Sequence, residues 1–255
     1  MNISKYEDQL DLSFSFLHKV IKMEDIDITT FGISMTLFHY YTYLKTLKSF
    51  DKFKLLISCI FLAVKIKGSF IHLEKLKAIY KKHKTLDLTD KEIVGYELEL
   101  MNFLGFELEI ETPFMYLDRV FKSKQIHIIF DKIIKIHSNN SNKEFLNKVS
   151  IDNNHENSFK NLCYNLVFDC YRRAFCIVFR PEIIALSVLS LTYCITISNK
   201  DIINNSSIIE LNQEITVSET KFIYSLFFKN EEAYEDFNLC LNEIVSFFCK
   251  KFALS

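Results

Sequence analysis

Seven cysteines, at 59, 163, 170, 176, 194, 240 and 249, and seven histidines are the side chains of this 255-residue chain with the widest chemical range. Neither set is spaced for chemistry. No two cysteines form a CxxC pair, the count is odd, and most sit in apolar stretches. That is the pattern of reduced, buried thiols, not of a disulfide framework or a zinc site. The histidines are scattered, with no HExxH and none three or four residues from another histidine or a cysteine, so no metal site is expected. The four glycines, Gly32, Gly68, Gly95 and Gly105, cannot write a GxG turn, a P-loop or a GxSxG elbow. No DDxxD, HD or Cys–His constellation is present either. The expectation is a protein with no catalytic residues and no cofactor, and so not an enzyme.

The elements that would position any site must be helices. Four glycines and two prolines leave too few positions for the positive-φ turns of an all-β fold. Apolar residues make up 49% of the chain, with 25 Phe and 12 Tyr, enough for one large core or two medium ones. Lys plus Arg number 31 against 32 Asp plus Glu, a net charge of −1, which lacks the basic excess of a nucleic-acid binder. The longest apolar stretches, Leu55–Val64 and Ile183–Ile197, fall short of the ~20 residues of a membrane span. The start, MNISKYEDQLDL, has none of the basic flank or apolar core of a secretory leader. An intracellular, reducing location, nuclear or cytoplasmic, is expected.

Along the chain, Tyr6, Leu10, Phe14, Leu17 and Ile21 mark one amphipathic helix over 4–21. Ile33, Leu37, Tyr40, Leu44 and Leu47 mark a second over 29–47. DKFKLLISCIFLAVKI (51–66) is apolar on every face through its middle, with Asp51 placed to cap its start and Gly68 to end it, so it predicts a surrounded central helix. A polar helix at 72–83 follows. Thr89 and Glu92 form a capping box that opens a helix to about Gly105. The pattern then restarts. Thr112 and Pro113 read as N-cap and first helical residue of one long helix running on to about 137. Residues 139–161 are Asn-rich and read mostly as an inserted loop, with an extended helix end as the alternative. A helix over 162–175 precedes a second all-apolar helix opening at Pro181. A polar stretch, 199–218, leads to two final helices near 218–228 and 231–252. The fold class expected is all-α, as two tandem five-helix domains at 1–109 and 110–255, each around a buried central helix.

Three segments carry a resemblance to the cyclin family: LLISCIFLAVKIKG (55–68), GYELELMNFLGFELEIETPFMYL (95–117) and YRRAFCIVFRPEIIALSVLSL (171–191). Together with the ending LNEIVSFFCKKF (241–252), they most resemble the transcription-associated branch, cyclin H above all, and types K, L, T and C share much of this. The resemblance implies a non-catalytic subunit that binds and activates a cyclin-dependent protein kinase. Its partner would be the kinase catalytic subunit, with a third assembly factor as a further component, and neither nucleic acid nor membrane. By the same resemblance, Lys65 and Glu97 would contact the kinase near its αC helix, while Met101, Phe106 and Leu108 would line an apolar seat for that helix. On residue type alone, Lys65 also reads as a snorkelling lysine and Glu97 as a solvated carboxylate, and spacing gives Met101 and Phe106 to the core. Many cyclins place acidic residues directly after the lysine; here Lys67 and Gly68 follow. The alternative from another class is a cyclin-fold basal transcription factor of the IIB type that binds DNA; near-zero net charge and the missing CxxC argue against it.

Overall fold

Residues 3–44, 51–84, 87–140, 153–197, 217–228 and 233–253 are described by the computed structural model. Twelve helices account for most of them: α1 Ile3–Met23, α2 Ile28–Leu44, α3 Lys52–Ile66, α4 Leu73–Lys84, α5 Asp90–Phe103, α6 Pro113–Phe121, α7 Gln125–Asn140, α8 Asn153–Cys170, α9 Phe175–Val178, α10 Pro181–Ile197, α11 Val217–Phe227 and α12 Tyr234–Ala253. No strand occurs among the described residues. The fold is all-α and divides into two units, Met1–Thr112 with Tyr171–Val178, and Pro113–Cys170 with Phe179–Ser255.

In the first unit α3 is the centre. Asp51 caps it, its Oδ1 accepting from the Phe53 N–H at 2.9 Å and the Lys54 N–H at 3.3 Å. Gly68, at φ +67°, ends it: its N–H bonds the Lys65 carbonyl while the Ser69 N–H bonds that of Val64. This is a Schellman motif, and glycine takes the left-handed position without a Cβ clash. Leu55 to Val64 are buried without interruption, as an all-apolar helix requires. Ser58, Cys59 and Ala63 lie fully inside, where small side chains admit close neighbours. The Thr89–Glu92 capping box opens α5 as expected. Glu92 also pairs with Lys54 of α3, whose ammonium is the main influence holding the Glu92 carboxyl down at about 2.

The second unit repeats the plan. Thirteen consecutive residues of α10, Ile183 to Ile195, are buried, and α6, α7, α8, α11 and α12 all pack on it. Its small residues Ala185, Ser187 and Ser190 are again fully inside. The Thr192 hydroxyl donates to the Val188 carbonyl at 2.9 Å, which satisfies a polar group within a buried helix.

Four readings change. The expected long helix from Pro113 is two: Ser123 donates through both its N–H (3.0 Å) and its hydroxyl (2.6 Å) to the Val120 carbonyl, diverting an acceptor from the helical ladder. The second unit therefore has six described helices. Thr112 stands at the N-cap position of α6, but its buried hydroxyl has no partner among the described residues. The Asn-rich stretch is helical at both ends, with α7 reaching Asn140 and α8 starting at Asn153; buried Phe159 anchors the latter edge-on to Phe130 at 5.4 Å. Residues 141–152, most of 199–218, and Leu47 lie outside the described residues. Finally, α2 is buried almost all round, from Thr30 to His39, not along one stripe. It packs on α1, α3 and α5, and on the remaining side receives α9.

Candidate functional site

The site builds from the last turn of α3 and one flank of α5. Lys65 is the basic residue of that last turn, where the exposed carbonyl ends favour a cation. Its Nζ lies 2.6 Å from Glu97 Oε1 and 4.0 Å from the centre of the Phe61 ring one turn earlier. The pair is unequal. The Lys65 side chain is 51% exposed, Glu97 only 5%. Glu97 sits on the buried face of α5 with Ile93 and Leu100, so its carboxylate needs the ammonium to occupy that position. Lys65 snorkels, with its head in water and its partner in the protein.

Beside Glu97 the α5 surface stays apolar. Met101 is half-buried one turn on, and Val94 and Leu98 are each 49% exposed on the adjoining flank. Helix α5 ends in a second Schellman motif, with the Phe106 N–H on the Met101 carbonyl at 2.9 Å and Gly105 at φ +59°. Phe106 itself adopts φ +63°, a region that costs a non-glycine residue on the order of 1–2 kcal/mol, and its ring is 61% exposed. Backbone strain and an exposed aromatic thus coincide at one residue. Leu108 follows, half-buried, in the non-helical segment leading to α6.

The structure therefore joins Lys65 to Glu97, places Met101 on the same helix, and ties Phe106 to Met101 through the backbone. Sequence reasoning missed Val94 and Leu98, which extend the apolar flank. Their signal was present as a stripe of Val94, Leu98 and Met101 lying alongside the core stripe of Ile93, Glu97, Leu100 and Leu104. The two stripes merge into one wide face when only periodicity is read. Phe70, just beyond α3, was also missed; it is the most exposed large apolar side chain among the described residues.

All seven cysteines are free thiols. Burial pushes Cys163, Cys176, Cys194 and Cys240 up to about 12, which makes them poor nucleophiles at neutral pH. Among the described residues no group of three or more His, Cys, Asp or Glu is placed to hold a metal ion, and no helix is long and apolar enough to cross a membrane. What the surface can do is bind: a rigid apolar flank with one anchored cation beside it.

The family model of the cyclin N-terminal domain matches residues 7–109, which contain α3, α5 and every element of this site. No curated protein matches the chain. Among solved structures, one chain of the CAK complex of Chaetomium thermophilum bound to ATP-gamma-S matches with a TM-score of 0.55 and 13% identity. The alignment covers 96% of this chain and 64% of that one, so this chain spans under two-thirds of that relative's length. A chain of the yeast RNA Pol II CTD kinase CTDK-1 complex matches with a TM-score of 0.57 and 13% identity, covering 88% of this chain and 67% of that one. At these identities the structural matches bear on the fold. The domain match identifies residues 7–109 as a cyclin N-terminal domain.

Proposed function

We propose that this chain is a non-catalytic regulatory subunit that binds and activates a cyclin-dependent protein kinase. The observation that carries the reading is the exposed apolar flank of α5, Val94, Leu98 and Met101, beside the Lys65–Glu97 pair. A protein kinase needs the glutamate of its αC helix turned inward to its strand lysine, and its activation loop held open. A flat apolar seat selects one orientation of that helix by burying its apolar side, and an adjacent cation fixes its register through backbone carbonyls. In this reading Lys65 reaches the kinase, Glu97 holds Lys65 in place from beneath, and Met101, Phe106 and Leu108 extend the seat. We place the kinase in the transcription-linked group, with the chain of cyclin H type as in CDK-activating kinase. Two things support this: the resemblance of 95–117 and 171–191, and the complexes from which the two matching structures come, a CAK and an RNA Pol II CTD kinase. A transcription-linked kinase works in the nucleus, which is where this reading puts the protein.

The test is to purify the chain with its bound partner, identify the kinase, and reconstitute the pair. Kinase activity should depend on adding the chain, while the chain alone should turn over no ATP. Lys65→Ala and Glu97→Ala, checked for folding by thermal melt, should each weaken the complex by about 2–5 kcal/mol, as loss of an interfacial charge anchor does. Folded variants that bind within about 0.5 kcal/mol of wild type would remove the pair from the interface.

A further inference from the structure

Residues Tyr171–Val178 pack with the first unit, although α8 before them and α10 after them belong to the second. Their contact with α2 centres on His39, which is buried to 1% exposure. His39 Nε2 lies 2.9 Å from the Tyr171 carbonyl oxygen. A carbonyl only accepts, so Nε2 carries the hydrogen and Nδ1 is bare. That Nδ1 is buried with no protein partner among the described residues. The surrounding contacts are apolar or neutral: the Tyr171 ring stands edge-on to Phe31 at 5.7 Å, and its hydroxyl is 3.5 Å from Thr36 Oγ1. Further out, Arg172 and Arg173 reach Asp11 of α1 at 3.3 and 3.6 Å, and the Arg172 guanidinium lies over the Phe14 ring.

We propose that His39 is a proton-sensitive latch: a proton added at Nδ1 releases residues 171–178 from α2. A second proton would make His39 a buried cation with a donor facing no acceptor, and that state is costly inside a protein. Among the described residues, the carboxylates on the elements around α2 are engaged elsewhere. Asp11 is held by Arg172 and Arg173, Glu97 by Lys65, and Glu99 by the Tyr41 hydroxyl, while Asp27 caps the start of α2. On α2 itself Tyr40 is a neutral phenol pushed up by burial, and on the docked segment the Cys176 thiol is pushed up to about 12. None of these stands ready to stabilise an imidazolium.

Burial, the larger influence, holds His39 down at about 4 from its usual 6.5, against the carbonyl bond that raises it. Once released into water, His39 returns to the usual value. Between those two limits the released form holds the extra proton. Docking is therefore complete at pH 7 and weakens as pH falls through 6.5 toward 4. The docking constant should drop about twentyfold between pH 7 and pH 5.

The experiment is backbone amide exchange on the full chain at pH 7 and pH 5, corrected for intrinsic rates. Residues 172–178 should open about twentyfold more at pH 5 while the α3 core, 55–64, keeps its protection. His39→Gln places an amide donor at the same reach without a titrating ring, and should abolish the acid response. Equal acceleration of 172–178 and α3, or an acid response that persists in folded His39→Gln, would overturn the latch. If His39→Gln does not fold, the ring nitrogen shifts of wild-type His39 decide. Titration near 4 in the docked form supports the latch, and titration near 6.5 refutes it.

Discussion

The two units share a design and differ in finish. Each surrounds an all-apolar central helix, α3 or α10, whose small residues let neighbours close in. Their surfaces are not alike. Among the exposed large apolar side chains of the described residues, only Ile128 and Leu239 belong to the second unit. The first unit carries the rest, including Phe70, Val94, Leu98, Phe103 and Phe106. The central helices also end differently: α3 finishes on Lys65 with its buried partner, whereas the last turn of α10 holds no basic residue. One unit is a core with a polar coat. The other carries an exposed apolar flank on α5, the kind of surface on which the proposed kinase contact rests.

If the units are equivalent as cores, equivalent cavities should cost the same. Ile60→Ala in α3 and Leu189→Ala in α10 each remove a fully buried aliphatic side chain. Both should destabilise their unit by about 2–5 kcal/mol in urea unfolding. A large cost at one site and a small one at the other would break the equivalence.

A smaller contrast sharpens the comparison at the helix starts. Thr89 satisfies α5 through a reciprocal capping box, so Thr89→Ala should cost about 1 kcal/mol. Thr112 stands at the corresponding place before α6 with its hydroxyl unpartnered among the described residues. Thr112→Val keeps the shape and removes the unpartnered oxygen, so it should be neutral within about 0.5 kcal/mol or slightly stabilising in the same measurement. Equal costs would show that both threonines cap.

Much of this plan is legible in the residues, for local reasons. Asp51, Gly68, Thr89 and Glu92 act within a few positions of where they stand, and each forms the cap its type predicts. The two central helices announce themselves because no face of either is polar. Lys65 and Glu97 could be named, and the structure joins them. Other features depend on distant chain. The burial of α2 on all sides needs residues 171–178, more than a hundred positions away, and periodicity within 28–44 carries no trace of them. Ser123 breaks α6 from α7 by a side-chain choice that a solvent-facing serine would not make. Gly105 predicts a helix end, but nothing in a phenylalanine predicts the left-handed backbone of Phe106. The exposure of Val94 and Leu98 was hidden for the opposite reason: an apolar residue beside a core stripe looks like core.

The central claim is that the first unit's exposed apolar face binds a kinase and that the described residues of the second unit offer no equivalent. Leu98 and Leu239 are matched probes, 49% and 54% exposed on helices of the two units. Leu98→Asp and Leu239→Asp should both fold, since neither side chain is core. Binding of each to the purified partner kinase is the direct measurement. The account predicts that Leu98→Asp weakens binding by about a hundredfold or more, as a charge buried at an interface centre would, while Leu239→Asp binds like wild type. Wild-type affinity in folded Leu98→Asp, or an equal loss in both, would contradict it.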